Sequence, residues 1–348
     1  MARLVSLASM LFASLCFSSL APAQETYKVA WTIYAGSMPL GYAQDHGVLQ
    51  KWGDKYGFKL EAVQMNDYIE AQTQFSMGQF AATIAMSLDA LTIPAASGTD
   101  TTVVMPLSSS MGSDGIVIRG RDKTLADLKG RTINLVELSG SHYMLVRALD
   151  RLGLKETDVK LINTSDSDMA AVFLDPATMA AATWKPQLSE ILAQDQDLSL
   201  VFDSSDIPGE LVDVLAVNSE LLRREPNLGK ALAGAWFETL AMLQPDHPQH
   251  AQLMAYMAQA LSTTPEGLAD QLSTIDFFTP AQGLDYVNSA AFKSKMTEMT
   301  RFAFQHGLFE GAKDADFVGI EAGDGQILGS ADNIKLRFSS TWLSEVQP

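Results

Sequence analysis

From Tyr27 onward, short apolar runs alternate with helix-length amphipathic stretches, and near Asp114 the same alternation begins again. Strands joined through helical crossovers pair in parallel and carry helices on both sheet faces. The restart therefore predicts two α/β units in one chain. In the first, TYKVAWTIY (26–34), FKLEAVQM (58–65), FAATIAM (80–86) and TTVVMPL (101–107) read as strands. Residues 37–57 and 66–78 read as helices, the second capped by Asp67 in a capping box with Glu70 and closed by Gly78. In the second unit, residues 114–120, 131–138, 159–164, 179–184 and 198–203 read as strands. Its main helix buries Leu145, Ala148, Leu149 and Leu152 on one face. Residues 211–218 form a further strand, 219–307 are almost wholly helical, and IKLRFSS (334–340) is a late strand.

One unit inserted in the other gives this order. The expected division is lobe 1 at residues 24–115 and 214–348, and lobe 2 at 116–213. Ligands of open α/β sheets bind outside the carboxyl ends of the strands. Two facing lobes would place those ends in one cleft, which a hinge can close.

The first 23 residues read as a cleavable export signal. Arg3 precedes a charge-free apolar run, and Ala21-Pro22-Ala23 is a cleavage site. The single cysteine, Cys16, falls inside that run, so the expected mature chain has no disulfide, thiolate metal site or thiol nucleophile. The net charge of −17, one unit more negative without Arg3, disfavours nucleic acid and anionic membrane as partners. Five histidines with no paired spacing such as HxxxH give no metal motif, and no cofactor is expected.

The strand-end loops carry an acidic and aromatic set. The candidate ligand-binding residues are Tyr34, Asp67, Ser87, Asp89, Asp114, Glu137, Ser139 and Trp184. Structural roles compete for several of them. Glu137 sits beside a helix N-terminus, where the macrodipole favours a carboxylate. Asp67 and Asp166 are placed to cap helices, Asp89 lies in a first helical turn, and Asp114 suits a turn. An anion site would be expected to hold Arg, Ser and bare N–H groups. Lys185 is the only base in a cleft loop.

The stretches VAWTIYAGSMPLGYAQDHGVLQKWGDKYG, QFAATIAMSLDALTIPAASG, TLADLKGRTINLVELSGSHYMLVRALDRLGL and TWKPQLSEI resemble the solute-binding proteins of ABC importers, in the nitrate/sulfonate/taurine-type branch. The resemblance implies a two-lobed α/β fold of the type II periplasmic binding class, each lobe a mixed, mostly parallel sheet flanked by helices. It also implies a monomeric periplasmic carrier, not an enzyme, that delivers a small solute to an inner-membrane permease with a separate ATPase. NDYIEAQ, VELSGSHY and SDIPGELVD look more narrowly like a subgroup associated with urea carboxylase and guanidine use. That resemblance implies a small planar cation or urea as ligand, held by carboxylates and aromatic faces. It also implies a neutral side chain after the tryptophan of TW-x-P, where this chain has Lys185. The alternatives are an anion binder for sulfonate or nitrate, an enzyme on a related fold, and a partner of a membrane receptor.

Overall fold

The computed structural model describes residues 24–345; the expected export signal lies outside them. The first unit runs β1 (Thr26–Thr32), α1 (Met38–Asp45), α2 (Val48–Tyr56), β2 (Lys59–Met65), α3 (Tyr68–Ser76), β3 (Ala82–Met86), α4 (Ser87–Ala90) and β4 (Thr101–Ser110). The second runs β5 (Asp114–Arg119), β6 (Thr132–Leu135), α5 (Gly140–Asp150), β7 (Lys160–Asn163), α6 (Met169–Val172), β8 (Ala180–Trp184), α7 (Gln187–Gln194) and β9 (Leu198–Asp203). The chain then returns through β10 (Val212–Asn218) to a helical region: α8 (Ser219–Arg224), α9 (Asn227–Ala241), α10 (His250–Ala260) and α11 (Pro265–Leu272). It closes with β11 (Ile275–Phe277), α12 (Pro280–Asn288), α13 (Ala290–Gln305), β12 (Gly319–Glu321), β13 (Ile327–Leu328), β14 (Ile334–Phe338) and α14 (Thr341–Glu345).

Two sheets result. The larger has the order β13-β12-β14-β4-β10-β3-β1-β2, with β11 on β4, and the smaller has the order β7-β6-β8-β5-β9. Both are mixed. β1 runs parallel to β2 and β3, and β6 runs parallel to β7 and β8. Antiparallel pairings join β11 to β4 and β12 to β13, and two strands run antiparallel to both of their neighbours: β10 opposes β3 and β4, and β5 opposes β8 and β9. These are the strands next to the passages between sheets. β4 is buried along its whole length, as a strand with neighbours on both edges and helices on its faces should be.

Several sequence expectations change in detail. Residues 37–57 form two helices, because Gly47 takes a left-handed φ of 74° that ends α1 and starts α2. Leu152 stays exposed while Leu145, Ala148 and Leu149 are buried, since α5 stops at Asp150 and Gly153 turns the chain away. The helical region after Ser219 is interrupted by β11, a three-residue strand too short to carry an alternation signal. β12 and β13 are too short to carry that signal either.

Candidate functional site

The carboxyl ends of β1, β3, β4, β6 and β8, with the start of β5 and β10, converge on one pocket between the two sheets. Its lining includes Thr32, Tyr34, Tyr68, Met86, Asp89, Ser110, Asp114, Ser139, Gly140, Trp184 and Asp213. The cavity open to a water-sized solute is about 40 Å³. One water-sized probe fills roughly 10–15 Å³, so the pocket suits a ligand of a few heavy atoms.

Three aspartates dominate the site, and no Lys, Arg or His lines it among the described residues. Asp89 lies in the first turn of α4, and its Oδ2 accepts from Tyr68 Oη at 2.6 Å. Asp114 Oδ2 accepts from Ser110 Oγ at 2.5 Å. Asp213 Oδ2 accepts from Ser108 Oγ at 3.1 Å. Burial pushes the Asp89 carboxyl up to about 7, although the hydroxyl of Tyr68 and the N–H of Gly140 oppose the shift. Burial likewise raises Asp114 to about 6, and burial with the negative charge of Asp114 raises Asp213 to about 8. Each carboxyl is thus costly to ionise in the closed pocket without a positive partner.

Unpaired polar atoms mark the same place. Asp89 Oδ1, Asp114 Oδ1 and Tyr34 Oη are buried without a hydrogen-bond partner. Other buried polar atoms also lack partners, but these three belong to residues that line one pocket, where a ligand that supplies donors would satisfy the two carboxyl oxygens. Aromatic faces flank them: Tyr68 meets Trp184 edge-on at 5.7 Å.

Of the candidate residues, Tyr34, Asp89, Asp114, Ser139 and Trp184 line this pocket, and the other three do not. Asp67 caps α3, accepting from the Glu70 N–H at 2.8 Å. The capping box is only half formed, because Glu70 Oε1 accepts from Gln74 instead. Ser87 is fully buried beneath the site and donates to the Val212 carbonyl. Glu137 stands outside the lining, its N–H held by Asn163 Oδ1 at 3.0 Å. Asp166 does not cap α6. Its Oδ1 accepts from the Tyr68 N–H at 3.3 Å, reaching from the smaller sheet's unit to the start of α3. The N-termini of α3 and α5 are thereby capped by the chain's own side chains, Asp67 with Asp166 and Ser139. Lys185 turns away from the pocket and meets Asp270 at 2.7 Å.

Asp213 and Ser110 are absent from the candidate set. Asp213 had a legible signal, a lone acid inside the apolar run LVDVLAVN. Its register opposite Met86 and Ser108 sets it at the mouth of the cleft. Ser110 had none, since the small polar end of a buried strand looks the same whether or not it faces a ligand.

A family model described as NMT1/THI5 like matches residues 38–251. The putative aliphatic sulfonates-binding protein of Escherichia coli K12 is 40% identical over 72 residues, 21% of this chain and 23% of that protein. The taurine-binding periplasmic protein of the same organism is 26% identical over 134 residues, 37% of this chain and 41% of that protein. The chain thus matches well under half the length of these curated relatives. Among solved structures, the alkanesulfonate-binding protein SsuA from Xanthomonas axonopodis pv. citri, bound to MOPS, superposes with a TM-score of 0.69 at 17% identity. That match covers 83% of this chain and 96% of the other, and the shared architecture is the two-lobed periplasmic binding protein fold.

Proposed function

The chain belongs to the NMT1/THI5-like family, whose model spans more than half of it, and on that premise we propose that it is the periplasmic solute-binding component of an ABC importer. It captures a small solute between two lobes and passes it to an inner-membrane permease driven by a separate ATPase. The lobes are residues 24–115 with 214–348, and residues 116–213. The protein acts as a monomeric carrier, without turnover of its ligand.

The ligand class is a small planar cation of the guanidinium type, or a donor-rich neutral relative such as urea. One observation carries this: among the described residues three aspartates and no base line the pocket, with Asp89 Oδ1, Asp114 Oδ1 and Tyr34 Oη left without partners. A guanidinium ion supplies N–H donors to the carboxyl oxygens and a flat face to Tyr68 or Trp184. Lys185 does not oppose it, because its ammonium is paired with Asp270. An anion meets the opposite environment, and the N-termini of α3 and α5 are already capped from within.

A second reading, a sulfonate or nitrate ligand, is favoured by the names of the relatives. It would require the aspartates to be protonated and to donate. Calorimetric titration of the mature protein at pH 7.5 with guanidinium, urea, taurine and nitrate separates the two. Saturable micromolar binding of guanidinium, with none of taurine or nitrate, supports the cation. The reverse pattern establishes the anion and removes the proposal.

A further inference from the structure

Outside the solute pocket, one cluster brings together side chains far apart in sequence. His142 lies in the first turn of α5, Glu156 in the turn before β7, and His306 just past the end of α13. Glu156 Oε2 lies 3.1 Å from His142 Nε2 and 2.8 Å from His306 Nδ1. One ligand atom from each residue falls within 4.8 Å of the others. Two imidazole nitrogens converging on one carboxylate oxygen is the arrangement that a metal ion adopts when it replaces the protons between them. A groove lined by Tyr143, Arg147, Glu156, Phe302, Gln305 and His306 opens beside it.

We propose that His142, Glu156 and His306 form a binding site for Zn²⁺, with the groove supplying the ion's path and its fourth, water-filled position. The donor set suits zinc: two imidazoles and one carboxylate around an open tetrahedral position. His306 and Glu156 are partly exposed and can close the modest remaining distance, whereas His142 is 3% exposed and fixed. The site depends on tertiary folding alone, which is why no spacing motif announces it.

The site also reaches the solute pocket. The Leu138 N–H donates to His142 Nδ1 at 3.1 Å, so the imidazole proton resides on Nε2. Zinc at Nε2 moves that proton to Nδ1, which can then no longer accept from Leu138. Leu138 is held at a left-handed φ of 66°, and the next two residues, Ser139 and Gly140, line the solute pocket. Zinc therefore loosens the turn that presents those two residues.

The test is titration of the mature protein with Zn²⁺ alone at pH 7.5, alongside His306→Ala and Glu156→Gln. Thermal unfolding of each variant checks that it is folded. Imidazole ¹⁵N spectra report the His142 tautomer with and without the ion. The expected result is one equivalent bound at micromolar affinity, at least a tenfold loss in each variant, and a change of His142 from the Nε2–H to the Nδ1–H form. Absence of saturable uptake below about 100 µM, or equal affinity in both variants and the parent, overturns the proposal. If one variant fails to fold, the other decides. Neither residue lines the solute pocket, so failure here leaves the carrier proposal untouched.

Discussion

Lys185 Nζ lies 2.7 Å from Asp270 Oδ2, joining the end of β8 in the smaller sheet's unit to α11 beside the larger sheet. The lysine is buried and its partner is largely exposed, and this asymmetry sets the expected mutational response. Asp270→Ala strands a buried ammonium and should destabilise the protein by roughly 2–3 kcal/mol, while Lys185→Met removes the charge itself and should cost under about 1 kcal/mol. Denaturant unfolding of the two variants measures the difference. Equal losses would mean that the pair does not restrain the lysine.

Asp213→Asn should raise stability and lower ligand affinity together. The substitution keeps the shape and the Ser108 contact but removes a buried acid that its neighbours repel. At pH 8 the ligand-free protein should gain about 1 kcal/mol. Guanidinium affinity should fall at least tenfold, or about 1.4 kcal/mol. An unchanged guanidinium affinity would remove Asp213 from the site.

Stability of the ligand-free protein should fall as the solution turns alkaline. Asp114, Asp89 and Asp213 have folded-state values of about 6, 7 and 8, above the ~3.9 of an exposed aspartate. The folded chain therefore holds protons that the unfolded chain has released. Their stabilisation is complete below about pH 4 and is lost as pH rises through those three values. Asp100 works in the other direction: burial is outweighed there by Arg223 and Arg337, so its stabilisation is present above about pH 4 and fades in stronger acid. Calorimetric midpoints should thus be highest at about pH 4 and decline toward about pH 8.5. A flat or rising profile over that interval would show the three carboxyls already ionised.

Gly140→Ala should impair binding more than folding. A Cβ at this position would overlap Met86 Sδ, across the cleft. The flexible methionine can move, but it lines the pocket and would move at the pocket's expense. The expected result is roughly tenfold weaker guanidinium binding with stability changed by less than about 1 kcal/mol. A stability loss with unaltered binding would place the contact outside the closing motion.

The order of strands and helices was legible because alternation and caps are local. Asp67 shows how far that goes: its spacing to Glu70 announced the cap, and the cap is what it forms. Glu137 shows where local reading stops. A carboxylate in the loop before α5 looks like a ligand contact, yet the turn at Leu138 carries Ser139 and Gly140 into the pocket and leaves Glu137 outside. Asp213 entered by the opposite route, through the pairing register of β10 with β3 and β4, which depends on residues more than 100 positions away. The partner of Lys185 was equally hidden, since Asp270 lies 85 residues further on.

The most direct measurement is guanidinium and taurine affinity from pH 5.5 to 8.5. A buried cation needs at least one of the three acids to have lost its proton, so guanidinium should bind at least tenfold more tightly at pH 8 than at pH 5.5, with taurine undetected throughout. Taurine binding that strengthens as pH falls, with guanidinium inert, would mean that the aspartates act as protonated donors to an anion, and would contradict the proposed ligand class.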